Sequence, residues 1–183
     1  DCAMTGILKV DAIQNNTGTS VMTFDTLGRV TKPGQPHIFW QGGSENNSSI
    51  ANTENLFATN DGQPAVKTDG SGLSSIQGGI TYTASTGRFT VPIDGIYHIY
   101  AQCYLNEDGS TFRIGAAVNG TQRFMGHGGY GAGGGPDNRG THAAQATIKL
   151  NANDYITFHN NAGGTRACYM GMNHTYGFIY LIG

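Results

Sequence analysis

The longest run of strand-forming residues lies at 96–105, and its alternate positions form two different faces. The first face is apolar, as the core of a β-sandwich requires: Tyr97, Ile99, Ala101, Cys103 and Leu105. The second face is amphipathic and suits a subunit interface: Ile96, His98, Tyr100, Gln102 and Tyr104. The pattern therefore predicts a strand that is covered on both sides.

The rest of the chain predicts short strands and no helix, because no stretch carries a sustained 3.6-residue apolar period with caps. Gly, Asn and Asp separate the strand-like pieces, as they do in sandwiches and barrels. Apolar residues alternate at 144–150 and 155–159, and the segment 176–183 reads as a last strand buried in mid-sheet. Further strands are predicted at 80–84, 88–91 and 112–118, with a first sandwich strand from His37.

Two regions follow from the turn signals and apolar content. Residues 1–36 form a stem or attachment segment, whose part 5–36 has turn signals at Asn16–Gly18 and Leu27-Gly28. This segment is too small to hold a core of its own. Residues 37–183 form the main all-β domain.

Composition narrows the function classes. The chain of 183 residues has 29 Gly and only 12% charged residues, whereas typical soluble domains have roughly 25%. Such a neutral, loop-rich surface is associated with extracellular adhesive and viral structural proteins. The net charge is −2 and no basic patch occurs, so nucleic-acid binding is not expected. No apolar run approaches the roughly 20 residues of a membrane helix, so membrane insertion is not expected.

Catalytic and metal-binding patterns are missing from the sequence. The six His show no metal-ligand spacing, and no nucleophile elbow or phosphate-binding loop occurs. We therefore expect a non-enzymatic protein without a cofactor. Cys103 reads as a small buried hydrophobe. A disulfide between Cys103 and Cys168 stays open at this point, as does a metal on a symmetry axis, which would leave no spacing signature.

The glycine-rich stretch 126–140 is the most unusual in the chain. One interpretation is a recognition loop, because glycine allows tight excursions while aromatic, amide and charged groups bind sugars or proteins. The alternative is a long loop that packs in the assembly without a ligand. The stretch 163–170 is a second candidate loop. The candidate ligand-binding residues are His127, Tyr130, Asp137, Asn138, Arg139, Arg166 and Tyr169.

Three blocks of the main domain match a known pattern. STGRFTVPIDGIYHIYAQCYLN resembles the TG-x-F-x-x-P-x-x-G-x-Y signature of the globular head of complement subcomponent q, which shares a jelly-roll superfamily with tumour necrosis factor. The matching positions are Thr86, Gly87, Phe89, Pro92, Gly95 and Tyr97. The segment with Leu150, Asp154 and Ile156, and the closing YGFIYLIG, are similar to further blocks of that family.

This resemblance implies an all-β jelly-roll sandwich that assembles as a homotrimer. Its strand at 96–105 would pack the core on one face and lie toward the threefold axis on the other. The resemblance also leaves calcium as a candidate ligand. The alternative is that the aromatic residues are ordinary monomer core. The candidates for the trimer interface or the core are Tyr97, Tyr100, Tyr104, Phe178 and Tyr180.

The first 36 residues have their own resemblance. LKVDAIQ followed by TGTSVMTFDTLGRV is similar to a segment of bacteriophage tail-fibre and structural proteins. It implies a virion protein, assembled in the host cytoplasm and extracellular after release, that contacts other virion proteins through residues 5–36. The expected function is the receptor-binding tip of a tail fibre that recognises a host-surface glycan or protein. The alternatives are a capsid-associated fibre or decoration knob, and a secreted complement-like lectin.

Overall fold

The computed structural model divides into two compact units, Asp1–Gln35 and Pro36–Gly183. The boundary set from the sequence lies between residues 36 and 37. No helix that is long and apolar enough to span a membrane occurs in the described part of the chain. The structure describes residues 10–18, 20–32, 34–43, 47–50, 55–58, 66–67, 74–105, 113–127, 140–161, 163–171 and 174–183.

The described residues form strands and no helices, so the prediction of an all-β chain is confirmed. The strand β12 was not anticipated, because its sequence TQRFMGH shows no clear apolar alternation. The strands are β1 Ala12–Gln14, β2 Ser20–Phe24, β3 Val30–Thr31, β4 His37–Gly42, β5 Asn47–Ile50, β6 Val66–Lys67, β7 Ser75–Gln77, β8 Thr81–Thr83, β9 Arg88–Thr90, β10 Gly95–Leu105, β11 Arg113–Val118, β12 Thr121–His127, β13 Gly140–Leu150, β14 Tyr155–Asn160, β15 Arg166–Tyr169 and β16 Tyr176–Leu181.

The N-terminal unit contains a three-stranded antiparallel sheet in the order β1-β2-β3. Two turns connect its strands, and both occur where the sequence predicts a turn. Gly18 has a φ of 82° and its N–H donates to the carbonyl of Asn15, at 3.0 Å. The Asp25 carboxylate accepts from the N–H groups of Leu27 and Arg29, each at 2.9 Å, which lowers the pKa of Asp25.

The second unit is a sandwich of two antiparallel sheets. One sheet has eight strands in the order β5-β15-β10-β16-β4-β6, with β13 along the other edge of β10 and β7 beside β4. The other sheet has five strands in the order β12-β11-β14-β9-β8. The last strand, β16, lies between β10 and β4, which confirms the prediction that the C-terminal strand is buried in mid-sheet.

Strand β10 organises the larger sheet, and its two faces differ as the sequence pattern predicts. It pairs with β13 over its whole length and with β16 from Tyr97 to Gln102. The apolar set enters the core: the side chains of Tyr97, Ile99, Ala101 and Cys103 are fully buried. Between the sheets they meet residues of the five-stranded sheet, including Phe89, Ile114, Ile156 and Phe158.

An aromatic cluster fills the centre of this core. The indole of Trp40 stacks on the ring of Phe89 with a centroid distance of 4.2 Å. The ring of Phe57 contacts the indole edge-on and that of Phe158 at a tilt, with centroid distances of 5.6 and 5.8 Å. Gly177, on β16, lies directly against the Trp40 indole, so no side chain fits at that position. The cluster joins β4 of one sheet to β9 and β14 of the other.

The signature around residue 87 has a structural explanation. Gly87 has a φ of 60°, and a Cβ there would lie 2.6 Å from the backbone N of Ala58. The Asn55 side chain caps this turn, because its Nδ2 donates to the carbonyl of Thr86 at 2.7 Å and its Oδ1 accepts from the N–H of Phe57 at 3.1 Å. The turn therefore needs glycine for both its φ and its space.

The second half of the signature contacts the C-terminal strand and the turn before β14. Gly95 lies so close to the side chain of Leu181 that a Cβ would overlap it. The carboxylate of Asp94 accepts from the N–H of Ala152 at 2.7 Å, which joins the start of β10 to the turn before β14. The phenol of Tyr97 donates to the carbonyl of Ile93 at 2.9 Å. These contacts explain why small or turn-forming residues precede the strand.

Replacing Gly87 with Ala should lower the free energy of unfolding by about 2–4 kcal/mol, because Ala is strained at positive φ and its Cβ overlaps backbone. At this chain length the melting temperature should fall by about 2–4 °C for each kcal/mol. Gly163→Ala is the matched control, since Gly163 has a φ of 78° but open space around it. Equal losses for the two variants in thermal unfolding would contradict the packing explanation.

Cys103 and Cys168 are both buried and both free. Their sulfur atoms lie 3.9 Å apart, on neighbouring strands β10 and β15. Burial raises the pKa of the Cys103 thiol, and the neighbouring Cys168 thiol acts in the same direction. The pair therefore packs as two small apolar side chains.

Candidate functional site

The outward side of the eight-stranded sheet carries a continuous group of aromatic side chains. They project from β4, β10 and β16, on the face opposite the core. We call this group the aromatic face, and its members are Phe39, His98, Tyr100, Tyr176, Phe178 and Tyr180.

Cross-strand pairing brings these rings together. Tyr100 lies opposite Phe178 in the register of β10 and β16, and the two rings stack at 5.2 Å with an interplanar angle of 15°. His98 stacks on Phe178 from the other side, at 5.6 Å and 21°. Phe39 and Tyr176 continue the row onto β4, with a centroid distance of 6.3 Å. Such stacked contacts stabilise the pairing of the three central strands.

Polar groups at one end of the aromatic face hold its geometry. The Tyr100 hydroxyl donates to the Gln102 carboxamide oxygen, and Gln102 Nε2 donates to the carbonyl of His174 at 3.1 Å. The imidazole of His174 lies between the rings of Tyr104 and Tyr169, at 5.1 and 5.2 Å. These contacts join β10, β15 and the segment before β16 into one surface.

The aromatic face is flanked by apolar side chains that remain exposed. Ile96 is 45% exposed and Ile182 is 49% exposed, and Tyr180 at the edge of the face is 39% exposed. The other rings of the aromatic face are partly buried. Contiguous apolar surface of this kind is typical of interaction sites, so the aromatic face is a candidate functional site.

Alkaline pH should destabilise the folded domain. Burial raises the pKa of Tyr100 to about 12 from 10.0, with the neighbouring Tyr176 acting in the same direction, and burial also raises the pKa of Tyr82. A raised folded-state pKa contributes stability that is complete below the unfolded value and is lost as pH rises through the folded value. The free energy of unfolding, measured with denaturant, should therefore fall between pH 10 and 12.

Tyr100→Phe is the control for that titration, because it removes the phenol and keeps the stacked ring. The variant should lose a measurable part of the alkaline dependence of stability while its unfolding at neutral pH stays cooperative. An unchanged dependence in the variant would contradict the assignment to Tyr100.

Of the five residues predicted for the trimer interface or the core, one lies in the core and four lie outside it. Tyr97 lies in the core, fully buried. Tyr100, Phe178 and Tyr180 belong to the aromatic face, and Tyr104 lies at its end beside His174. The aromatic partners Phe39 and Tyr176 were missed in the sequence, although Phe39 alternates with the buried Ile38 and Trp40 in HIFWQG.

Most of the predicted recognition loop lies outside the described residues. Tyr130, Asp137, Asn138 and Arg139 belong to this undescribed part. His127 is the last residue of β12, and its backbone pairs with Arg113 of β11. Ligand binding by these five residues stays a prediction.

The predicted loop position of Arg166 and Tyr169 is wrong. Both residues lie on strand β15, which pairs with β5 along its length and with β10 at Tyr169 and Cys168. The strand forms because Cys168 enters the core while its neighbours point away from it. The Arg166 guanidinium donates to the carbonyl of Thr165 at 2.8 Å, and the Tyr169 ring contacts His174. A ligand-binding role for the two residues stays a prediction.

Within the described residues, no group of three or more His, Cys, Asp or Glu side chains is arranged to hold a metal ion. The calcium suggested by the family resemblance therefore has no assigned ligands in this part of the chain.

Solved structures with the same arrangement of strands identify the fold. Eiger TNF from S. frugiperda superimposes with a TM-score of 0.64 and 14% sequence identity, covering 81% of this chain and 93% of that chain. Murine APRIL, solved at pH 8.0 and at pH 5.0, gives TM-scores of 0.54 and 0.51, covering 81% of this chain and 99% of each APRIL chain. The fold is a tumour-necrosis-factor-like jelly roll.

The identities to APRIL are 12% and 14%, so this likeness establishes the jelly roll and nothing finer. No protein-family model and no curated protein sequence matches the chain. The resemblance to the complement and tumour-necrosis-factor superfamily is confirmed at the level of the fold. The bacteriophage resemblance of the N-terminal segment stays a prediction.

Proposed function

We propose that this protein is a non-enzymatic bacteriophage structural protein whose jelly-roll head forms a homotrimer and acts as the receptor-binding tip of a tail fibre. The head would recognise a host-surface glycan or protein. The stem, residues 5–36, would attach it to other virion proteins. The protein would be assembled in the host cytoplasm and would act on the virion, outside the cell.

The aromatic face is the feature that most strongly supports the proposed trimer. Its central rings lie on two adjacent middle strands of a sheet rather than in a loop, those of His98 and Tyr100 on β10 and that of Phe178 on β16. A largely apolar surface held by strand pairing and ring stacking loses less conformational entropy than a loop would when it meets two symmetry-related copies. The occupant that we assign to it is therefore further copies of this chain.

Trimeric display supports the receptor-binding role through avidity. Three weak sites that engage one cell surface together can exceed the affinity of a single site by about 10²–10⁴-fold. The low charge and high glycine content agree with an adhesive surface protein. The N-terminal resemblance to tail-fibre segments supports the location on a virion.

Cell binding by the purified protein tests this proposal. Fluorescently labelled protein is incubated with a panel of bacterial strains and analysed by flow cytometry. We expect the trimer to label at least one strain, and a monomeric Phe178→Asp variant to label it at least about a hundredfold more weakly at equal protomer concentration. A trimer that labels no strain would overturn the receptor-binding role and favour a decoration knob without a host ligand.

A further inference from the structure

A small open pocket with a mixed polar and apolar lining lies on the five-stranded sheet, on the outward side of β11, β12 and β14. Its volume is about 220 Å³, which is less than the roughly 300–1,000 Å³ of pockets for drug-sized ligands. A pocket of this size suits one small ring. Its lining residues are Ala117, Gly120, Gln122, His159, Asn160 and Asn161.

The strand register explains how the pocket forms. Gly115 lies opposite His159 and Ala117 lies opposite Thr157, so small residues on β11 leave a depression between taller neighbours. The Asn119-Gly120 turn, with positive φ at both residues, then returns the chain into β12 and brings Gln122 opposite Ala117. Ala117 therefore lies at the bottom of the depression, and the polar side chains of Gln122, His159 and Asn161 form its walls.

Hydrogen bonds hold the walls in place. Asn161 Nδ2 donates to Gln122 Oε1 at 3.1 Å. The His159 ring is fixed by a contact of 2.9 Å between its Nε2 and the Thr157 hydroxyl. The fully buried carboxamide of Asn160 alternates with Ile156 and Phe158 on the core side of β14, where it donates to the carbonyls of Ile50 and Gly164 at 2.8 and 2.9 Å and fixes the strand beneath the pocket. The lining is thus organised by contacts that tie β14 to the segments around it.

The lining chemistry selects the class of ligand. Carboxamide side chains both donate and accept hydrogen bonds, as pairs of neighbouring sugar hydroxyls do. The lining contains no Lys, Arg, Asp or Glu, so it offers neither a counter-charge for an anion nor carboxylates for a hard cation. The small methyl of Ala117 gives the C–H face of a ring a surface to pack on.

We propose that this pocket binds one neutral sugar ring. The inference rests on the proposed recognition of a host-surface glycan, because it names the class of ligand and the place where the head would hold it. It assigns recognition to the outward side of the five-stranded sheet, so the aromatic face on the other sheet stays available for the trimer.

A variant that fills the pocket without damaging the fold provides the test. A Cβ on Gly115 would lie 3.6 Å from Asn161 and 3.7 Å from Gln122, which is ordinary van der Waals contact. Gly115→Ala should therefore fold normally and occupy the space between the two carboxamides. Gln122→Ala removes one wall at an exposed position, and Gln77→Ala removes an exposed carboxamide from β7 of the other sheet as the matched control.

Saturation-transfer NMR with glucose, galactose and N-acetylglucosamine measures binding directly. We expect at least one of the three sugars to bind the parent. Gln122→Ala should weaken its binding by about fivefold to tenfold, as the loss of one hydrogen bond does. Gly115→Ala should weaken it by at least as much, because the added methyl group occupies space that the ring would use. Gln77→Ala should bind as the parent does. The proposal would be overturned if none of the three sugars bound, or if Gly115→Ala and Gln122→Ala bound the sugar as tightly as the parent does. Displacement of the sugar by inorganic phosphate would also overturn it.

Cell labelling in the same samples separates this inference from the proposed function. Strains labelled equally by the parent and by Gly115→Ala would leave the receptor-binding role standing and overturn the pocket as its site. Sugar binding that is lost in Gly115→Ala, together with no labelling of any strain, would support the pocket and overturn the receptor-binding role.

Discussion

Phe178→Asp should convert the assembled protein into a monomer, with the solution mass falling from three times 19.3 kDa to 19.3 kDa. Phe178 lies in the middle of the aromatic face, stacked between Tyr100 at 5.2 Å and His98 at 5.6 Å. In a threefold interface its replacement would bury three carboxylates near one another. Unpaired buried charges cost several kcal/mol each, and like charges repel.

Light scattering during size exclusion measures this effect at several protein concentrations. The head itself should stay folded, because Phe178 points away from the core that Ile179 and Gly177 enter. Thr121→Asp is the matched control, since Thr121 is an exposed residue at the start of β12, on the other sheet. A Phe178→Asp protein that keeps the parent mass would show that the aromatic face is not the interface.

Trp40→Ala should lower the free energy of unfolding by about 3–5 kcal/mol, the usual range for deleting a large buried aromatic side chain. Trp40 is fully buried and stacks on Phe89 at 4.2 Å, while the rings of Phe57 and Phe158 pack against it edge-on and tilted. Its loss would leave a cavity between the two sheets at their centre. The melting temperature should fall by about 6–20 °C at this chain length.

Trp40→Phe tests how much of this stability comes from a ring that packs on Phe89. Phe keeps a ring against Phe89 and removes the indole Nε1, which is buried without a hydrogen-bond partner in the described part of the structure. A buried donor without a partner is itself destabilising, so this variant should lose less than half as much stability as Trp40→Ala. Both are compared with the parent at equal protomer concentration, because assembly contributes to stability. Equal losses for the two variants would contradict this account of the core.

The sequence was most informative where one strand has two clearly different faces. Alternation along β10 predicts that Tyr97, Ile99, Ala101 and Cys103 face the core, as they do, since period-two patterning is a direct consequence of strand geometry. The turn glycine Gly87 could be predicted for a similar reason, because its positive φ is a local backbone requirement that favours glycine.

Features that depend on pairing between distant segments of the chain could not be predicted from the sequence. Strand β15 is short and follows two glycines, so its sequence alone is typical of a loop. Its strand conformation depends on pairing with β5 and β10. Gln122 and Asn161 are 39 positions apart in the chain, and only the register of β11 with β12 and β14 brings them to one pocket. Whether the cysteines pair was equally undecided, since it depends on the distance between two strands.

The solution mass of the unmodified protein tests the central claim most directly. Light scattering during size exclusion requires no knowledge of the host or the ligand. A mass of three times 19.3 kDa is the predicted result, and it would make the aromatic face a threefold interface and avidity the mechanism of binding. A mass of 19.3 kDa at every concentration would contradict the account, because the stacked rings of β4, β10 and β16 would then face solvent in the isolated chain.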